Sequence, residues 1–287
     1  MTGLALAVFA LGGFIFVAPA VAAGDAKRGE YVARLGGCHS CHTDPKRTNA
    51  PLAGGVELVT SYGTFRVPNI TPDPETGIGR WSEADFIRSM TEGVAPDGSH
   101  YYPAFPFTFY TRMRRQDLRD LKAYLDTVRP VRNVVPSHDL RFPYNFRFAL
   151  GVWKWLFFRA GSFKPDPAKS ASWNRGAYIV TGPGHCGECH TVRNFLGVVD
   201  ENHALAGTRK GPDGKRVANI TPHPVDGIGL WSAAEVVEFL KTGKIPYGET
   251  TDPPMDDVIA NGSSHWTDAD LKSTAEYLLS LPKRTTP

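Results

Sequence analysis

Cys38-His39-Ser40-Cys41-His42 decides how the rest of this chain is read, because it recurs as Cys186-Gly187-Glu188-Cys189-His190. Two thiols three residues apart stand close to one helical turn from each other, and a histidine follows the second directly. That spacing is the attachment site of a c-type haem. The two thiols reach the vinyl groups on adjacent edges of the porphyrin, and the next residue is thereby set beneath the iron as the proximal imidazole. The pattern assigns Cys38, Cys41, Cys186 and Cys189 to two covalently bound haem c groups, and His42 and His190 to their irons. A four-cysteine zinc site or a pair of redox disulfides also uses Cys-x-x-Cys, but neither needs the histidine. With 9 histidines in 287 residues, one after both motifs arises by chance with odds of roughly one in a thousand.

The self-similarity extends outward from the motifs. Arg28-Gly29-Glu30-Tyr31 recurs as Arg175-Gly176-Ala177-Tyr178. Asn69-Ile70-Thr71-Pro72 and Gly77-Ile78-Gly79-Arg80-Trp81-Ser82 recur as Asn219-Ile220-Thr221-Pro222 and Gly227-Ile228-Gly229-Leu230-Trp231-Ser232. Near the end of each half, Asp117-Leu118 matches Asp270-Leu271. Two units of one fold follow, over 24–131 and 171–284, joined by an aromatic-rich linker over 132–170.

Within each unit the regular structure reads as helical. Ser82-Glu-Ala-Asp85 and Ser232-Ala-Ala-Glu235 are capping boxes, each opening an apolar run. Thr267-Asp-Ala-Asp270 opens a helix with Leu271, Thr274, Leu278 and Leu281 on one face, and its counterpart carries Leu118, Leu121, Leu125 and Val128. Pro130 and Pro282 stop these helices. The roughly 40 residues between each cysteine motif and its capping box show no sustained alternation, and a compact domain tolerates so long an irregular loop only where something else organises it. The fold class expected is all-α, with long irregular loops wrapped around the two haems.

A hydrophobic content of 41% with 21% charged residues excludes a disordered chain. Lys plus Arg is 32 against 29 for Asp plus Glu, too small an excess for a nucleic-acid partner. Four cysteines are too few for a disulfide scaffold at this length. The first charged residue is Asp25, and the apolar run before it ends in small residues around Ala20–Ala23. Residues 1–23 therefore read as a signal peptide, or as a retained membrane anchor since no Lys or Arg opens them. Either places the mature protein in the periplasm, free or held at the inner membrane.

The sixth iron ligands are expected to differ. Met255, in Pro253-Pro254-Met255, lies between Gly243 and the last helix and is the ligand expected for the second haem. The corresponding position of the first half is Phe105, which cannot ligate iron. His100, five residues earlier, is the leading candidate there; Met113, Met90 or an open position are the alternatives. Ligation by His100 would give the first haem the lower potential and send electrons from the first half to the second.

These motifs resemble the dihaem and trihaem cytochrome c subunits of periplasmic dehydrogenases: quinoprotein alcohol dehydrogenase, flavin-dependent gluconate dehydrogenase and molybdenum aldehyde oxidoreductases. The resemblance rests on both Cys-x-x-Cys-His sites, both Asn-Ile-Thr-Pro blocks and Tyr102-Pro103-Ala104-Phe105-Pro106-Phe107, where the family reads Tyr-Pro-Ala-Met-Pro-Tyr with a ligating Met. It implies two tandem cytochrome c domains and a non-catalytic relay. Electrons would pass from a dehydrogenase catalytic subunit to a quinone, another cytochrome or an oxidase. It also implies that Asn69, Thr71, Asn219 and Thr221 touch the haem edges. The competing reading is a dihaem enzyme of peroxidase or thiosulfate-oxidising type with substrate at the first haem. The linker stretch Phe142–Phe163 is expected to pack between the domains; contact with a membrane or with the partner subunit is the alternative.

Overall fold

The computed structural model describes residues 22–211, 214–248 and 250–287. In chain order they form α1 (Ala26–Leu35), α2 (Cys38–His42), β1 (Glu57–Thr60), β2 (Gly63–Arg66), α3 (Glu83–Glu92), α4 (Phe107–Tyr110), α5 (Arg115–Leu125), β3 (Asp139–Leu140), α6 (Ala149–Phe157), α7 (Ala171–Thr181), α8 (Gly187–His190), α9 (Ala233–Thr242), α10 (Met255–Asn261) and α11 (Asp268–Leu279). The capping signals fix the helix starts. Ser82 and Ser232 each accept a hydrogen bond from the backbone of the residue three positions on, and Asp85 and Glu235 return it. Thr267 caps α11 through the backbone N–H of Asp270. Gly93 and Gly243 end α3 and α9 in the left-handed region, at φ 62° and 77°. Helices α5 and α11 close at Leu125 and Leu279, before Pro130 and Pro282 are reached.

Two hydrophobic clusters result. One gathers Leu52, Ile87, Met113, Leu118, Leu121 and Leu125 of the first half. The other gathers Tyr178, Ile179, Leu240, Leu271 and Leu278 of the second, and Leu35 from the end of α1 joins it. In each half the first helix lies across the last at a glycine. A Cβ on Gly29 would stand 1.8 Å from the carbonyl oxygen of Asp120 on α5, and one on Gly176 would stand 1.9 Å from that of Ser273 on α11. Only a residue without a side chain permits backbones to approach this closely.

The two halves lock reciprocally. The Tyr31 hydroxyl of α1 donates to Asp270 of α11 at 2.6 Å and accepts from the Thr267 backbone N–H at 3.0 Å. The Tyr178 hydroxyl of α7 donates to Asp117 of α5 and accepts from the Arg114 N–H at 3.2 Å. Each aspartate also meets an arginine of its own half: Arg175 grips Asp270 through two nitrogens at 2.7 and 2.8 Å, and Arg28 lies 3.8 Å from Asp117 and 3.0 Å from Asp120. Burial and then the Asp117 carboxylate push the Tyr178 hydroxyl well above its ordinary pKa, so it is a proton donor throughout the neutral range.

Two expectations need correction. The chain is mainly helical but not all-α: β1, β2 and β3 make an antiparallel sheet in that order, with Leu58 opposite Phe65 and Thr64 opposite Asp139. Strands of four residues with a half-exposed face carry too short an alternation to stand out in the sequence. The linker aromatics are not all packed between the halves either: Trp155 is 76% exposed and Phe148 80%. Residues 1–21, expected to form a signal or anchor, lie outside the described residues. Among the described residues no helix is long and apolar enough to cross a membrane.

Gly29→Ala and Gly176→Ala are each expected to destabilise the protein by at least about 3 kcal/mol, because the obstructing atoms are backbone and cannot rotate aside. Chemical unfolding of the two variants measures this.

Candidate functional site

Both Cys-x-x-Cys-His motifs fold as a single helical turn anchored at its C-terminal end. The His42 carbonyl accepts from the Gly54 N–H at 2.8 Å, and the His190 carbonyl accepts from the Gly207 N–H at 2.8 Å. Thr43 and Thr191 receive the N–H groups of Leu52 and Leu205 on their hydroxyls, each at 3.1 Å. Leu52 and Leu205 both sit at φ 62°, a left-handed conformation that leucine adopts only under constraint. The constraint is a carbonyl that must receive the next loop, through Ile70 N–H in one half and Ile220 N–H in the other, each at 3.0 Å.

The imidazoles are aimed by their second nitrogen. His42 Nδ1 lies 2.8 Å from the carbonyl oxygen of Pro68, and His190 Nδ1 lies 2.7 Å from that of Ala218. A carbonyl only accepts, so Nδ1 carries the proton in both rings and Nε2 keeps its lone pair. Burial lowers the His42 pKa to about 4 and lowers that of His190 as well, so both rings are neutral at physiological pH. A neutral imidazole with a fixed tautomer and one free nitrogen is the arrangement a metal ligand requires.

The thiols complete a donor set that fits a haem. Cys38 and Cys186 are half-buried, while Cys41 and Cys189 are reached by water yet flanked by protein. Burial pushes the Cys38, Cys186 and Cys189 thiols up to about 12 and raises Cys41. Such thiols are the opposite of the acidic ones that redox disulfides employ. Among the described residues, no group of three or more Cys, His, Asp and Glu side chains gathers as a metal cluster. The two cysteine pairs therefore do not meet in one zinc site. Cys38, Ile70, Trp81 and Phe105 are half-buried against the first hydrophobic cluster, and Cys186, Ile220 and Trp231 against the second. Two thiols, an imidazole whose Nε2 keeps its lone pair, and half-buried apolar side chains on the same cluster are a donor set that fits an apolar, thioether-linked ring.

The remaining predicted site residues fall into two groups. Asn69 and Thr71 are buried and engaged within the protein. The Asn69 amide donates to the Val131 carbonyl at 2.7 Å, and its Oδ1 accepts from both the N–H and the hydroxyl of Thr71. Asn219 and Thr221 repeat this with the Arg284 carbonyl at 2.7 Å. These four residues tie the loop to the segment that follows the last helix of each half, which fixes the loop's position rather than exposing its polar atoms.

The loop after α3 and the loop after α9 share one hydrogen-bond register. Val94 bridges His100 as Lys244 bridges Thr250, and Tyr101 N–H reaches the Gly93 carbonyl as Thr251 N–H reaches that of Gly243. Phe105 is thereby the counterpart of Met255, the half-buried first residue of α10. His100 is engaged elsewhere: its Nδ1 lies 3.0 Å from Lys154 Nζ on α6, and its carbonyl accepts from Arg147 at 2.9 Å. Met113 and Met90 are buried in the first hydrophobic cluster.

One feature was not legible in the motifs: the two attachment segments touch. The Gly36 carbonyl, two residues before Cys38, accepts from the Tyr110 hydroxyl at 3.1 Å and lies 3.3 Å from Nε2 of His185, the residue before Cys186. The Tyr110 and His185 rings meet edge to face at 5.5 Å. Phe109 of α4 covers Gly187 in the second motif, where a Cβ would come within 2.9 Å of its ring. On the other side, Ser40 in the first motif donates to the Asp257 carbonyl of α10 at 3.3 Å. The sequence signal for this contact is faint, since His185 reads as one polar residue among several before the second motif.

Comparison with known proteins adds a family context. The profile of the Cytochrome c family matches residues 26–129. A diheme cytochrome c-type protein of Cereibacter sphaeroides is 42% identical over 268 residues, covering 90% of this chain and 86% of the relative. The cytochrome c subunit of the quinone alcohol dehydrogenase of Gluconobacter oxydans is 40% identical over 266 residues, 89% of this chain and 54% of the relative. The fructose dehydrogenase cytochrome subunit of Gluconobacter japonicus is 38% identical over 261 residues, 90% of this chain and 52% of the relative. The chain spans about half the length of these two dehydrogenase subunits.

Proposed function

Because the chain belongs to the diheme cytochrome c family, we propose that it is an electron relay of two tandem cytochrome c domains, 24–131 and 171–284, serving a periplasmic dehydrogenase. Bound through Cys38 and Cys41 and through Cys186 and Cys189, the haems supply reversible one-electron iron chemistry. The protein's own task is orientation. His42 and His190, held by donating Nδ1–H to the carbonyls of Pro68 and Ala218, would offer Nε2 to the irons. The reciprocal locks at Tyr31 and Tyr178 hold the domains in one register.

The observation that carries this reading is the direct contact of the two attachment segments at Gly36, Tyr110 and His185. A protein that delivers electrons from one centre to another needs its centres adjacent and its polypeptide rigid between them. Among the described residues, the ring contacts of Phe105 are with aromatic side chains. Its aromatic neighbours Tyr101 and Tyr110 meet it at 5.4 and 5.6 Å. The relatives named as cytochrome subunits of alcohol and fructose dehydrogenases support a dehydrogenase catalytic subunit as donor, with a quinone or a further respiratory-chain component as acceptor.

The centres are not equivalent in this account. Met255 would serve as the sixth ligand of the second, while the first half carries Phe105 at that position, which cannot ligate iron. His100, held by Lys154 and Arg147, is not assigned to it.

Two experiments test the proposal. Full-length tagged protein, isolated from its native cells, should bring down a quinoprotein, flavin or molybdenum dehydrogenase subunit, and that subunit's substrate should reduce the haem absorption. A chain that purifies alone and turns over peroxide or thiosulfate unaided would contradict it. Met255→His should lower one of the two midpoint potentials in a redox titration and leave the other in place, because methionine ligation raises the potential relative to histidine.

A further inference from the structure

The residue just before the first cysteine of each pair has a positive φ. In the first half it is Gly37, at 59°; in the second it is His185, at 36°. Glycine takes that conformation at no steric cost, whereas any side chain there is strained. Both halves build the same attachment turn, so the turn itself does not call for a histidine. A strained residue persists where its surroundings hold it, and the surroundings of His185 belong to the other half.

His185 Nε2 lies 3.3 Å from the Gly36 carbonyl oxygen, and its ring meets that of Tyr110 edge to face at 5.5 Å. A carbonyl only accepts, so Nε2 carries the proton. Burial lowers the pKa of the ring, which leaves it neutral with Nδ1 unprotonated. The buried Tyr110 donates its hydroxyl to the same carbonyl at 3.1 Å. One oxygen atom is thus gripped by a side chain from each half.

Gly36 is where such a grip has consequences. Gly36 and Gly37 are the whole of the chain between α1 and Cys38, and two successive glycines transmit the direction of a helix poorly. The other contacts of the second half with this region fall to either side. Trp266 Nε1 donates to the Arg34 carbonyl inside α1 at 3.2 Å, and Ser40 within the turn donates to the Asp257 carbonyl at 3.3 Å. His185 in turn is fixed to its own cysteine pair. Its N–H donates to the Gly182 carbonyl at 3.1 Å, and the Cys186 N–H donates to that of Val180 at 3.2 Å. Whatever holds Gly36 through His185 is therefore the second attachment turn.

We propose that His185 is a positioning residue for the passage of electrons between the two haems: through Gly36 it sets the tilt of the first attachment turn against the second, and with it the relative orientation of the haems. This rests on the assignment of the four cysteines to haem attachment. His185→Gly supplies the residue that the first half uses at this position, so the backbone loses strain while the link is removed. His185→Gln keeps an amide N–H at the reach of Nε2. Two haems held close together at a fixed angle couple their Soret transitions and give a circular-dichroism couplet. In the haem-loaded protein, His185→Gly should keep both haems and the unfolding midpoint, lose the couplet, and slow the equilibration of electrons between the haems after flash reduction. His185→Gln should restore both signals. Should His185→Gly fail to accumulate, His185→Asn decides on the same readouts, because its shorter amide tolerates a positive φ and stops short of Gly36. A wild-type protein with two haems and no couplet would overturn the proposal and leave the attachment sites standing. So would a couplet or an equilibration rate unchanged by loss of the link. A wild-type protein without covalent haem would overturn the attachment assignment itself.

Discussion

An imidazole that donates its Nδ1–H to a backbone carbonyl has one nitrogen left for a metal, and this chain builds that arrangement twice. The requirement spreads outward from His42 and His190. A carbonyl must stand 2.7–2.8 Å from each ring, so the loops ending at Pro68 and Ala218 must be held in place. Asn69 with Thr71, and Asn219 with Thr221, hold them by consuming their own polar atoms and clamping the segment after the last helix. The irregular loops therefore have fixed positions despite containing little regular structure. A backbone with few ladder hydrogen bonds is ordered here by side chains that satisfy its carbonyls.

The same logic governs how the halves meet. Each half crosses its first and last helices at a glycine, and each sends a tyrosine to the aspartate near the start of the other half's last helix. Hydrophobic burial holds each cluster together without specifying direction. The tyrosine hydroxyls and carboxylates supply the direction, since each bond forms only in one register. That register presses Gly36 against His185 and Tyr110, and so brings the two attachment segments together.

Much of this was legible in the sequence because the decisive features are local. Capping boxes at Ser82 and Ser232, the cap at Thr267 and the buried faces of α5 and α11 follow from spacing alone. What escaped depends on contacts distant in sequence. The repeated Tyr31 and Tyr178 were visible as a repeat, but their partners lie across the molecule. The internal use of Asn69 and Asn219 depends on Val131 and Arg284, some 60 residues away. Helix α6 shows a different limit: composition marks a segment as apolar without saying which side it turns outward, and the inward placement of Lys154 reverses the usual expectation.

The repeats have stayed alike where they hold the imidazoles and diverged elsewhere. The first half adds the small sheet and receives α6, and it carries Phe105 where the second carries Met255. The account stands on two porphyrins joined to the polypeptide by thioethers at Cys38, Cys41, Cys186 and Cys189. The mass of the mature protein after complete denaturation tests this most directly. Two haems in excess of the amino-acid mass, retained with their colour in denaturant, is the predicted result; a colourless chain weighing no more than its residues would contradict the account.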